Sequence, residues 1–179
     1  MRRAPGRSGR ALTYPEVGAS LTGELPPGYR HQRHRVRLGT GRALFERSAA
    51  AVTGWELHRR AGVRPALGTP PAVAGSDVDL TAALGPLALR MSCRVVAVVD
   101  EPDRRGFAYG TLTGHPERGE EAFVVHRDAD DAVWLEVVAF SRPGRWYTRL
   151  GGPLARDAQR AATRRYLRAL VELPAAPLP

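Results

Sequence analysis

The spacing of apolar positions along this chain changes character twice, near residue 76 and again near residue 143. Residues 34–38 alternate polar and apolar as an edge strand does. Phe45, Ser48, Ala49, Val52 and Trp55 then recur at helical spacing, with Thr40 placed to cap that helix and Gly62 to stop it or its short continuation. Residues 64–75, with Pro65, Pro70 and Pro71, read as a surface connection. From Ser76 the pattern becomes short β-rich runs separated by Gly, Pro and acidic turns. Residues 92–99, 105–112, 121–127 and 133–141 predict an antiparallel meander, and residues 78–89 add one or two strands. After Pro143 the period lengthens again. Pro153 suits a first helical turn, and Leu154, Ala158, Ala161, Ala162, Ala169 and Leu170 mark one face of a long C-terminal helix.

This order sets the expected domain plan. Residues 1–10 read as a flexible basic tail, 11–173 as a single domain and 174–179 as a Pro-rich tail. The stretch before Tyr29 reads as an arm with little regular structure. A chain of 179 residues that is 43% hydrophobic supports one real core. No apolar run approaches the roughly 20 residues of a membrane-spanning helix, and the basic N-terminus lacks the apolar stretch of a secretion signal. The expectation is a cytoplasmic protein. The single cysteine, Cys93, sits in a strand-like run and reads as an inert buried thiol.

Charge changes the picture less than its total suggests. The net charge is +9, but all 27 basic residues are Arg and the chain has no Ile or Asn, a pattern of GC-rich coding. Residues 1–37 hold 8 Arg against 2 acids and residues 142–168 hold 8 against 1, while the remainder hold 11 against 15. Arg156, Arg160, Arg164 and Arg168 stack on one face of the predicted C-terminal helix, either as a solvated face or as a contact for an anionic surface.

Candidate chemistry gathers in residues 106–125, where His115, Glu117, Glu120 and Glu121 surround a turn marked by Pro116 and Gly119. A neutral histidine oriented by a carboxylate is an acid–base arrangement, and a self-capping turn uses the same residues. The His-x-Glu spacing without a second nearby histidine does not make a metal site, and neither metal nor cofactor is expected. Before the turn, alternation puts Phe107, Tyr109 and Thr111 on one face and Gly106, Ala108 and Gly110 on the other. The bare face permits a bend or the close approach of another backbone. On the last strand Trp134, Glu136, Val138 and Phe140 share a face opposite Val133, Leu135, Val137 and Ala139, and either set can point inward. If Glu136 is inward it needs a partner, with Arg94 or Arg142 as candidates.

Strand, helix, antiparallel strands and a long final helix make the order of an α+β helix-grip fold, a curved antiparallel sheet wrapped around a C-terminal helix. The sequences Tyr14-Pro-Glu-Val-Gly18, Leu25-Pro-Pro-Gly-Tyr29, Trp55-Glu-Leu-His58, Gly106-Phe-Ala-Tyr-Gly-Thr-Leu112, Gly114-His-Pro-Glu117, Gly119-Glu-Glu121, Ala139-Phe-Ser-Arg-Pro143 and Gly152-Pro-Leu154 with Gln159 are more specific. Together they resemble a bacterial and plant family known as a domain of unknown function. The resemblance implies a START-like, helix-grip relative and carries over no catalytic residues.

The leading expectation is a protein that binds a small apolar or amphipathic molecule between sheet and C-terminal helix, lined by Phe107, Tyr109, Thr111, Trp134, Glu136, Phe140, Ala158 and Ala162. A cyclase- or isomerase-type enzyme using His115 and the neighbouring carboxylates is the alternative. A non-catalytic module that meets anionic surfaces through its Arg stripe is the third.

Overall fold

The computed structural model of the chain describes residues 9–84 and 87–144. The expected C-terminal helix, with Ala158, Ala162 and the stripe Arg156, Arg160, Arg164 and Arg168, lies outside the described residues. A single antiparallel sheet of seven strands dominates: β1 (Arg30–Thr40), β2 (Val63–Pro65), β3 (Asp77–Leu84), β4 (Leu87–Glu101), β5 (Arg104–Thr111), β6 (Glu117–Arg127) and β7 (Ala132–Pro143). Their order in space is β1-β7-β6-β5-β4-β3-β2, so β2 to β7 form a meander and β1 returns to pair with the last strand. The sheet curls into a half-barrel. Among the described residues three short helices, α1 (Ala19–Thr22), α2 (Arg42–Thr53) and α3 (Glu56–Arg60), accompany it.

Helix α2 forms where the sequence period predicts one and buries Phe45, Ser48, Ala49, Ala51 and Val52. Its start differs from expectation. Thr40 ends β1 and Gly41 takes the cap position without a side-chain hydrogen bond, because the strand runs on until Gly41 turns the chain. The stretch read as a connection also begins with structure, since Val63, Arg64 and Pro65 pair with Ala82, Thr81 and Leu80 as an edge strand. A proline is tolerated there because an edge residue can leave one side of the ladder unpaired.

Helices α2 and α3 pack on one face of the sheet, called here the inner face. Phe45, Val52, Trp55 and Leu57 meet Phe107, Phe123, Val125, Leu135 and Val137 there. Each large apolar side chain fully removed from water in this way stabilises the fold by about 1.5–3 kcal/mol. Trp55 sits at the α2–α3 junction with φ 66° and 1% exposure, and its indole N–H donates to the Pro70 carbonyl at 2.8 Å. That anchor holds a left-handed backbone that a bulky residue otherwise avoids.

Candidate functional site

Strands β5 and β6 pair so that Tyr109 faces Glu121 and Gly110 faces Glu120. With a side-chain period of two, this register sends two consecutive carboxylates to opposite faces of the sheet. Glu117, Glu120 and Glu121 are all strand residues, because β6 begins at Glu117, four residues earlier than the sequence pattern indicates.

Glu120 lies on the outer face, 3% exposed, beneath the N-terminal arm. The Tyr14 hydroxyl donates to its Oε2 at 2.6 Å and the Gly18 N–H at 2.7 Å, while the Ser20 N–H and hydroxyl donate to Oε1 at 3.0 and 2.5 Å. A buried carboxylate is stable only when its lone pairs are so occupied. The arm is also stitched to the sheet through Leu12 opposite Leu112, with Thr13 N–H donating to the Thr111 carbonyl at 3.0 Å. Gly110 is required under it: a Cβ there would stand 2.0 Å from the Tyr14 hydroxyl oxygen. Tyr14 and Tyr29 meet the Phe140 ring edge-on at 5.5 and 5.1 Å, and the Tyr29 hydroxyl donates to Glu16 at 2.8 Å. Burial first, then the hydrogen bond to Glu120, raises the Tyr14 hydroxyl far above its ordinary titration range.

Glu121 lies on the inner face, half-buried, with Ala139 opposite it on β7. The Tyr109 hydroxyl donates to its Oε2 at 2.9 Å. Burial pushes its carboxyl up to about 7, Tyr109 pulls it down, and the like charge of Glu117 adds to the rise. Glu117 shares this face; burial raises its carboxyl, against the Ser141 hydroxyl and Arg30, which lower it. Below the pair, His58 is fully buried, its ring 4.7 Å from Phe123, 5.1 Å from Trp55 and 5.7 Å from Tyr109. Burial, assisted by Arg59, lowers it to about 3, so it is neutral.

His115 stands apart from both carboxylate environments. Its Nδ1 accepts the Glu117 N–H at 2.9 Å and lies 3.1 Å from the same residue's carbonyl oxygen. One nitrogen cannot serve both as acceptor and donor; burial lowers the ring to about 4 and keeps it neutral, and the shorter contact from the Glu117 N–H fits the tautomer whose Nδ1 accepts. The ring borders an open cleft of about 340 Å³ with Leu12, Thr13, Thr113, Arg118 and Gly144. Its orienting partner is backbone, not a carboxylate.

The residues expected to line one ligand site are divided. Phe107 and Tyr109 are on the inner face with Glu121. The Thr111 hydroxyl joins the Thr13 hydroxyl at 2.5 Å and accepts the Gly119 N–H at 3.0 Å, closing the turn beneath the arm. Trp134, Glu136 and Phe140 share the outer face. Trp134 donates to Asp128 at 3.0 Å beneath the Arg35 guanidinium, 4.1 Å from its ring, and Glu136 is 4.0 Å from Arg33. Neither partner considered for Glu136 serves it: Arg94 is engaged bidentately with Asp77 at 2.6 and 3.2 Å, and Arg142 lies over the Tyr29 ring at 4.6 Å. Sequence reasoning missed the roles of Tyr14, Gly18 and Ser20. The signal was present in the Tyr14-Pro-Glu-Val-Gly18 motif, but nothing local connects that motif to Glu120.

Among the described residues no group of three or more His, Cys, Asp or Glu could hold a metal ion, and no helix is long and apolar enough to cross a membrane.

Residues 13–169 match the family described as a domain of unknown function (DUF1990). A UPF0548 protein of Deinococcus radiodurans is 43% identical over 172 residues, covering 90% of this chain and 87% of the relative. A UPF0548 protein of Arabidopsis thaliana is 29% identical over 141 residues, covering 74% and 67%. Among solved structures, a hypothetical protein from Helicobacter pylori is similar with a TM-score of 0.59 at 10% identity, covering 93% of this chain and 97% of that one. Ara h 8.0201 is similar at 0.54 and 10% identity, covering 80% and 96%. A Thalictrum norcoclaurine synthase point mutant in complex with a transition-state analogue is similar at 0.50 and 12% identity, covering 83% and 97%. At these identities the likeness to solved structures is one of fold.

Proposed function

The chain belongs to the family described as a domain of unknown function (DUF1990), and on that premise we propose that it binds a small amphipathic molecule on the inner face of its curled sheet, against the C-terminal segment as a helix-grip arrangement would have it. The observation that carries this reading is the Tyr109–Glu121 pair. A carboxyl and a phenol hydrogen-bonded at 2.9 Å stand half-buried at the rim of an aromatic and aliphatic interior, the mixture of apolar lining and few polar groups that ligand sites use. The fold shared with a synthase held in complex with a small analogue supports it further.

Native mass spectrometry of the purified full chain tests this. The expected result is a small molecule released on denaturation; repeated absence, together with an experimental structure in which side chains fill the inner face, overturns it.

One observation favours a second reading, a cyclase- or isomerase-type reaction. Glu121, held near 7, can take or give a proton at neutral pH, whereas His115, lowered to about 4 and bordering the separate open cleft, is a poor base there. In that reading Glu121→Gln abolishes turnover of the identified ligand and His115→Ala leaves it; the reverse result would return the role to His115.

A further inference from the structure

The chain carries 27 arginines, and several of them sit beside its acids. Asp77 has Arg94, Asp79 has Arg10 and Ser92, and Glu117 has Arg30 and Ser141. Glu120 has four donors instead of a cation. Glu121 differs from all of these. Its Oε2 takes the Tyr109 hydroxyl, and among the described residues no guanidinium, ring N–H or amide donates to Oε1. Among the described residues the titratable groups around it are Tyr109 from β5, Cys93 from β4 and Glu117 on its own strand, none of them a cation. Its β7 neighbour is Ala139, a small and itself buried residue that offers the carboxyl no polar partner. Glu121 is half-buried rather than sealed, unlike Glu120 beside it.

A half-buried carboxylate without a counter-charge is satisfied in one of two ways, by a proton or by an incoming cation. We propose that the inner-face site takes a primary or secondary ammonium group carried on an apolar body, with Oε1 of Glu121 accepting its N–H and the apolar body lying against Tyr109 and Ala139. This inference rests on the reading of the inner face as a ligand site and adds the chemical class of the ligand. The carboxyl near 7 agrees with it, because an ammonium would replace the proton that Glu121 otherwise holds at neutral pH.

Phenethylamine and its neutral isostere 2-phenylethanol are suitable probes, since they share an apolar body and differ in the head group. Isothermal titration of the full chain with each, at pH 6 and pH 8, gives the first readout. Phenethylamine, protonated throughout this range, is expected to bind about tenfold tighter at pH 8, as the ionised fraction of Glu121 rises. The alcohol is expected to show no such dependence. Glu121→Gln should abolish the preference for the amine while keeping the alcohol's affinity, and circular dichroism verifies that this variant is folded. The second readout is the Glu121 carboxyl followed by carbon NMR, expected to titrate lower when phenethylamine is bound. Equal affinity for amine and alcohol, or an amine preference that survives Glu121→Gln, overturns the amine inference and leaves the inner-face site standing. If neither probe binds while a neutral molecule co-purifies, the amine inference again falls alone. If neither probe binds, nothing co-purifies and an experimental structure shows side chains filling the inner face, both readings fall.

Discussion

Glu120 and Glu121 are consecutive on β6 and meet opposite conditions. Glu120 is sealed under the arm with four hydrogen bonds from Tyr14, Gly18 and Ser20. Glu121, one residue on, has a single phenol donor among the described residues and is only half-buried. Their two tyrosines differ in the same sense. Tyr14 reaches its carboxylate from 106 residues away and closes a long loop, whereas Tyr109 is the direct cross-strand neighbour of Glu121. The first carboxylate is a structural clamp whose every lone pair is committed. The second keeps, among the described residues, an uncommitted oxygen on the face that carries the aromatic interior.

The difference is sharpest at Glu120→Ala. Removing the acceptor leaves the Tyr14 hydroxyl, two backbone N–H groups and the Ser20 hydroxyl without it, and the expected loss is about 3–5 kcal/mol. Urea unfolding at neutral pH measures this, and a loss below about 1 kcal/mol would mean that the arm contributes little to the fold. Tyr14→Phe is the milder probe. It removes one donor to a charged acceptor and keeps the ring against Gly110 and Phe140, so about 1.5–3 kcal/mol is expected. Faster proteolysis within residues 9–29 should accompany it, since the arm would open before the sheet does.

What the sequence made legible follows from range along the chain. The α2 period, the meander and the bare face of Gly106, Ala108 and Gly110 are local patterns, and Gly106 does accept a close backbone: a Cβ there would stand 2.0 Å from the Phe123 carbonyl oxygen. The division of Glu120 from Glu121 was legible in principle, because period two separates neighbours once the strand is known to include them. Pro116 and Gly119 read instead as a turn around His115, although Gly119 lies inside β6 with φ 153°. The partners of Glu120 were not legible at all. Tyr14, Gly18 and Ser20 belong to a stretch whose only regular element is the four-residue α1, and what orders it is the distant carboxylate.

At Glu121 the expected effect is smaller and depends on pH in a defined direction. Its folded carboxyl is raised from the ordinary 4.5 to about 7, so the folded state holds a proton more tightly than the unfolded chain. That contribution to stability is complete below 4.5 and is lost as pH rises through 7. Glu121→Gln removes the dependence. The variant should match the native chain near pH 4.5 and exceed it by about 1–2 kcal/mol at pH 8, less than the full linkage because solvent reaches the side chain. Destabilisation by Glu121→Gln at pH 8 would place Glu121 with Glu120 as a structural acceptor and erase the distinction between them.

Tyr109→Phe has the smallest effect on stability and the most direct bearing on the pair. The lost hydrogen bond is partly open to water and contributes about 0.5–1.5 kcal/mol, well under the loss expected at Tyr14. Its larger consequence is on titration. The hydroxyl stabilises the ionised form of Glu121 and holds the carboxyl below where burial alone would put it, so without it the midpoint should move up from about 7. Carbon NMR of the Glu121 carboxyl measures that movement directly. An unchanged midpoint would mean that the phenol is not what stabilises the carboxylate, and the inner face would then have to be explained by burial and Glu117 alone. An upward shift with the fold intact would leave Glu121 protonated over more of the neutral range. Affinity for phenethylamine at pH 7 should then fall in the Tyr109 variant, although the ammonium contacts Oε1 rather than the oxygen that Tyr109 holds.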